Sequence, residues 1–96
     1  MGKESDHIED LRKRIDEIDY QIILLLKERL DIAGAIGKQK RKQRIKIIND
    51  DREKELLHRL VTLCTKIGLD ANFISTIWKE ILHQSYQIQA GVDSEK

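Results

Sequence analysis

An all-α chain of three helices, the first very long, is predicted by three observations. The 96 residues contain no proline and only five glycines, so the material for sharp turns and hairpins is scarce. Leu, Ile, Lys, Glu and Arg dominate, and these residues lose little on entering a helix. Apolar residues recur at helical spacing through three segments separated by capping signals.

The first segment carries Ile8, Leu11, Ile15, Ile18, Ile22 and Leu25, then Ile32 and Ile36, an alternation of three and four held over about four heptads. Asp6 is a suitable N-cap, and Gly34 and Gly37 weaken a helix without forbidding it. A helix from about His7 to Lys42 follows, roughly 50 Å long. The second segment starts with Asn49 or Asp50 as cap and runs through Leu56, Leu57, Leu60, Leu63, Cys64 and Ile67. Gly68 fits a left-handed C-terminal cap, with Leu69 supplying the accompanying apolar contact. The third starts at Asp70 with the stripe Ile74, Ile77, Trp78, Ile81 and Leu82. Each later helix reaches about 30 Å at most, too short for the two to cover the first while packing on each other. The remaining apolar stripe predicts an intertwined helical homodimer built on the long helices. The expected organisation is a flexible N-terminus (1–6), one helical domain (7–90) and a flexible tail (91–96).

The charge of +1 gives no global field for nucleic acid or membranes. No leader-like apolar run opens the chain, and no segment approaches membrane-spanning length, so a cytoplasmic protein is expected. Cys64 is alone in an apolar pattern and reads as a buried structural thiol. His7, His58 and His83 are scattered without metal-ligand spacing and read as surface or boundary residues. The run Lys38–Lys46 is basic at six of nine positions. It suits a solvated helix end, where cations meet the negative end of the dipole. A nucleic-acid- or protein-binding module is the rival reading, but no aromatic is interleaved for stacking.

Chemistry is signalled where polar residues interrupt apolar faces. After Leu25 the next heptad position is Arg29, and after Ile36 it is Lys40. The two cations lie about 20° apart around the axis and about 16 Å along it, so they face one interior. Buried cations need anions; for Arg29 alone, an internal carboxylate or a snorkelling side chain would suffice. On the third helix Ser85 and Gln89 continue the apolar face one turn apart, a pattern that a fraying end also produces. Glu53, three residues after Asp50, matches a capping pattern, and Arg52 continues the face of Leu56. Arg12 lies about 25 Å and about 100° from Arg29 on the same helix, so it fits the site of an antiparallel partner instead.

Taken together, Leu11-Arg12, Lys27-Glu28-Arg29, Ile36-Gly37-Lys38-Gln39-Lys40, Asp51-Arg52-Glu53, Leu56-Leu57 and Ser85 followed by Gln89 make the chain resemble the all-helical chorismate mutases, in particular the small bacterial type that forms intertwined dimers. The resemblance covers roughly Ile8 to Gln89. It implies an isomerase that converts the chorismate dianion to prephenate in phenylalanine and tyrosine biosynthesis, without metal or cofactor. It further implies a site holding Arg29, Lys40, Asn49, Arg52, Glu53, Ser85 and Gln89 of one chain and Arg12 of the other. Lys40 and Gln89 would serve the ether oxygen and Glu53 the ring hydroxyl. Ser85 would assist a carboxylate contact, and Arg52 would reinforce the positive field or hold Glu53. At position 49 the family usually has Asp, and contact through the backbone makes Asn acceptable. An isochorismate-pyruvate lyase, with similar fold and cations, is the nearest alternative; a catalytically idle dimer is a third. Family members are often fused to other pathway enzymes; at this length a single mutase domain is expected, with association with another shikimate-pathway enzyme left open.

Overall fold

A computed structural model describes residues 3–91, with side chains from residue 7 onward. The fold is all-α, with α1 at Lys3–Gln43, α2 at Asp50–Ile67 and α3 at Ala71–Gln89. α1 starts four residues before the predicted His7, so Asp6 lies inside the helix and does not cap it. The expected boundary between residues 6 and 7 therefore falls within α1, and residues 92–96 of the expected tail lie outside the described residues. Among the described residues no helix is long and apolar enough to cross a membrane.

The chain divides into two compact units at Asp31 and Ile32. The first unit is the N-terminal stretch of α1. Its stripe Ile8, Leu11, Ile15, Ile18, Ile22 and Leu25 is uncovered in the single chain, at 40–63% exposure. Ion pairs run between neighbours on adjacent turns, Arg12 with Glu9 at 3.0 Å and Lys27 with Asp31 at 2.8 Å. Such exposed pairs contribute about 0.3–0.5 kcal/mol each.

The second unit holds the end of α1 with α2 and α3, and α2 packs on α3. Its core is thin: Ala33, Cys64 and Leu82 are the buried apolar side chains, and Cys64 is a free thiol, as the apolar pattern around it implied. On this part of α1 the buried positions are Ala33 and Gly37, about 100° around the helix from the exposed Ile32 and Ile36. The two faces are thus distinct. A face of small residues packs within the unit, and the isoleucine stripe stays uncovered.

Both junctions are set by local chemistry. α1 closes with Arg44 in the left-handed region at φ 58°, its N–H bonded to the Arg41 carbonyl, while the Ile45 N–H reaches the Lys40 carbonyl at 2.8 Å. These are the bonds of a Schellman closure, here made without glycine. Asn49, and not Asp50, caps α2: its side chain accepts from the Arg52 N–H at 3.0 Å, and Asp50 and Asp51 add favourable charge to the first turn. Gly68 takes the predicted left-handed cap at φ 74°, with the Leu69 N–H on the Cys64 carbonyl. Asp70 caps α3 as predicted, accepting from the Asn72 N–H at 2.9 Å.

Candidate active site

The second unit buries two polar side chains, Ser85 at 3% and Gln89 at 8% exposure, on the face of α3 that also buries Leu82. What lets α1 approach Gln89 is Gly37. A Cβ at this position would overlap the backbone of Gln89, so only glycine permits the approach. A Cβ at Gly34, one turn earlier, would meet the Ile88 side chain at ordinary contact distance. One turn after Gly37 comes Lys40, half-buried. Lys40 lies about 20° around the helix from Ala33 and about 40° from Ile36, at the border between the packed small-residue face and the isoleucine stripe.

The Lys40 ammonium donates to the Ile47 main-chain carbonyl at 2.6 Å and to Gln89 Oε1 at 2.9 Å. This pairing also orients the amide. An ammonium offers donors only, so the Gln89 oxygen must face Lys40, which leaves the amide nitrogen with its two hydrogens to serve another acceptor. Lys40 and Gln89 thus gather N–H donors of one cation and one neutral amide in a half-buried place. Arg41 donates to the main-chain carbonyl of Gln89, occupying one of the carbonyls that the end of α3 leaves without a helical partner. A guanidinium at that end also meets the negative pole of the helix.

Glu53 is half-buried in the first turns of α2, and its Oε1 accepts from the Tyr86 hydroxyl at 2.5 Å. The capping role that its spacing from Asp50 allowed is therefore not the one it plays. Its N–H makes the first helical bond, to the Asn49 carbonyl, and its side chain turns to α3. Asn49 is exposed, and its side-chain oxygen is engaged as the cap. It lines an open hollow of about 380 Å³ together with Ile45, Lys46, Ile48, Asp50 and Asp51.

Arg52 is not brought to the others. Its guanidinium pairs with Glu55 at 2.6 Å, with the side chain 54% exposed, so it neither continues the Leu56 face nor holds Glu53. The carboxylate three residues on, within reach on the helix surface, competes for it. Arg12 and Arg29 belong to the first unit, Arg12 exposed and paired with Glu9, Arg29 half-buried. Three contributors escaped the sequence reading: Tyr86, Arg41 and the Ile47 carbonyl. Tyr86 had a faint signal as one of four aromatic residues, placed directly after Ser85. Arg41 was hidden in the basic run, and a main-chain carbonyl has no side-chain signature.

A three-helix chain with inward-facing Lys, Gln, Ser and Glu defines a class of small helical proteins with a polar, cation-bearing interior. Comparison with known proteins names it: residues 11–90 match the model of the chorismate mutase type II family, and the chain belongs to that family. It is similar to the bifunctional chorismate mutase/prephenate dehydratase of Escherichia coli, 35% identical over 79 residues, which cover 82% of this chain and 20% of that protein. The chorismate mutase of Methanocaldococcus jannaschii is 30% identical over 84 residues, 88% of this chain and 85% of that one. The T-protein of Haemophilus influenzae is 29% identical over 79 residues, 82% of this chain and 21% of that protein. The chain thus spans about a fifth of the length of the bifunctional relatives it matches and most of the archaeal one.

Proposed function

We propose that the chain is a chorismate mutase that converts chorismate to prephenate in the cytoplasm, as a homodimer and without a cofactor. Membership of the type II family supports the activity, as does the similarity to an archaeal protein named chorismate mutase over most of both chains. The observation that carries the mechanism is the Lys40–Gln89 pair, two adjacent donors fixed by each other and by the Ile47 carbonyl.

The reaction is a Claisen rearrangement. The ether C–O bond breaks while a C–C bond forms between the enolpyruvyl carbon and the ring, in one electron shift with no proton transfer. The enzyme therefore has two tasks. It must hold the folded conformer in which the reacting carbons approach, and it must stabilise the negative charge that grows on the ether oxygen. Lys40 and the Gln89 amide N–H face that oxygen. Arg29 and, from the partner subunit, Arg12 hold the substrate carboxylates, bidentately where the geometry permits, with Ser85 assisting. Glu53 accepts from the ring hydroxyl, with the Asn49 backbone beside it. Arg52 gives up its exposed ion pair with Glu55, which is weak enough to exchange, and adds positive field. An acceleration of about 10⁶-fold requires roughly 8 kcal/mol, within reach of conformer selection and two preorganised donors.

The uncovered stripe from Ile8 to Leu25 supports the dimer. A contiguous apolar row on one helix face is costly in water and is covered by the same row of a second copy. The deciding experiment follows loss of chorismate absorbance and formation of prephenate by the wild type and by Lys40→Ala. The wild type turns over chorismate, and the variant loses about 10³-fold in kcat with its helical circular dichroism intact. Salicylate and pyruvate released from isochorismate, with chorismate untouched, would instead make the chain a lyase. Equal rates for both proteins would remove Lys40 from the mechanism.

A further inference from the structure

We infer that Tyr86 is a positioning residue, holding the Glu53 carboxylate in place for the substrate's ring hydroxyl. The inference rests on the role proposed above for Glu53. The bond joins residues 33 apart in sequence, tying the start of α2 to the end of α3, and both side chains are half-buried. Its donor is the phenol, since a carboxylate only accepts.

The choice of a neutral donor has a chemical consequence. A carboxylate among cations tends to collapse onto one of them, which would neutralise its charge and take an ammonium or guanidinium away from the substrate. Here the cation beside it in sequence, Arg52, is paired with Glu55, and the donor that Glu53 meets is the Tyr86 hydroxyl. The Tyr86 phenol gives Glu53 a partner without cancelling its charge. It occupies Oε1, and a carboxylate has about four lone-pair sites, so the second oxygen stays available to accept from a hydroxyl. A flexible glutamate also loses rotational freedom before binding and not during it, which improves affinity. Tyr86 is itself held in the last turn of α3, where its carbonyl accepts from the Ala90 N–H at 2.9 Å.

The ring hydroxyl takes no part in bond making or breaking, so its contact is the same in ground and transition states, and the effect belongs in KM. The test is a double-mutant cycle of Tyr86→Phe and Glu53→Ala, with chorismate as substrate. Phe keeps the ring and its packing and removes only the hydroxyl. In the wild-type background Tyr86→Phe lowers kcat/KM about tenfold, mostly through KM. In the Glu53→Ala background, assayed at raised enzyme concentration, it adds less than about twofold. An equal penalty in both backgrounds, a penalty confined to kcat, or no penalty in the wild type overturns the inference while leaving the role of Glu53 intact. Wild-type kcat/KM in Glu53→Ala alone overturns the role of Glu53 and the inference with it.

Discussion

Arg12 and Lys40 are cations on the same helix, yet they sit in opposite physical settings. Arg12 lies in the first unit, where apolar side chains face water and its own partner is Glu9, one turn away. Lys40 lies in the second, where Gln89 is buried and reached across 49 residues of chain. A local ion pair reports only that the helix exists. A long-range bond to a buried amide reports a tertiary site, since a buried polar group without a partner would cost about 1–3 kcal/mol. The difference assigns the units different tasks. The second assembles a polar cluster, Lys40 with the buried Gln89, and the first leaves an apolar row uncovered.

The sharpest way to break the second unit's side of this contrast is Gly37→Val. The added side chain meets the backbone of Gln89, which cannot swing aside as a flexible side chain would. The end of α3 has to move and carry the Gln89 amide away from Lys40. A displacement of about 1 Å costs on the order of 100-fold in rate, and the loss of the Lys40–Gln89 register takes the total to about 10³-fold. Overpacking adds about 1–3 kcal/mol of destabilisation, read from urea unfolding. Activity and stability both unchanged would show that the approach of α1 to Gln89 is not needed.

The first unit's side is tested by mixing. If Arg12 serves the partner's site, a heterodimer of Arg12→Ala and Arg29→Ala subunits holds one site with both changes and one with neither. Two inactive homodimers, exchanged at equal concentrations, then regain about a quarter of wild-type activity through statistical pairing. No recovery after exchange, with dimers seen by sedimentation, would keep Arg12 out of the neighbour's site.

Much of this contrast was readable from residue spacing, but unevenly. The heptad isoleucines predicted the long helix because periodicity follows directly from 3.6 residues per turn. Gly68, Asp70, Ser85 and Gln89 were equally legible, since a cap or a polar residue on an apolar face leaves a positional mark. Lys40 was legible as facing inward, since it follows Ile36 by four residues, but the packed face beside it is that of Ala33 and Gly37, small residues that a hydrophobic pattern underweights. The Arg52 ion pair was not legible, for a different cause. Sequence places it on a face, but a rotatable guanidinium goes to whichever carboxylate is nearest, and Glu55 is one turn away. The Ile47 carbonyl and the Tyr86–Glu53 bond depend on tertiary closure and have no spacing to betray them.

A gentler probe changes the charge behaviour of the second unit without changing its shape. In Gln89→Glu the carboxyl replaces an amide of the same size opposite Lys40. If residue 89 serves the ether oxygen as proposed, only the protonated acid can donate to it, and an ordinary glutamate titrates near 4.3. Activity of this variant therefore rises as pH falls toward that value and declines above it, whereas the wild-type amide, which does not ionise, gives no such limb. A difference of about 10–100-fold between acidic and neutral assays is expected for losing one donor. A pH–rate profile parallel to the wild type would remove Gln89 from the reacting oxygen.

The smallest effect separates the second unit's fold from its chemistry. Of the left-handed residues that follow its three helices, Gly68 at φ 74° and Gly91 at φ 82° adopt that conformation freely, whereas Arg44 adopts φ 58° against the clash of its Cβ with the backbone. The closure bonds belong to the main chain and survive substitution. Arg44→Gly therefore stabilises the protein by about 0.5–1 kcal/mol, the left-handed relief partly offset by the greater freedom of glycine in the unfolded chain. Gly68→Ala destabilises it by about 1 kcal/mol for the same reason with the sign reversed. Neither position is among the residues proposed to touch the substrate, so kcat stays within about twofold in both variants. A large fall in kcat in Arg44→Gly would mean that the loop presenting the Ile47 carbonyl depends on a stiff turn at Arg44, and that Lys40 is held from the loop as much as from α3.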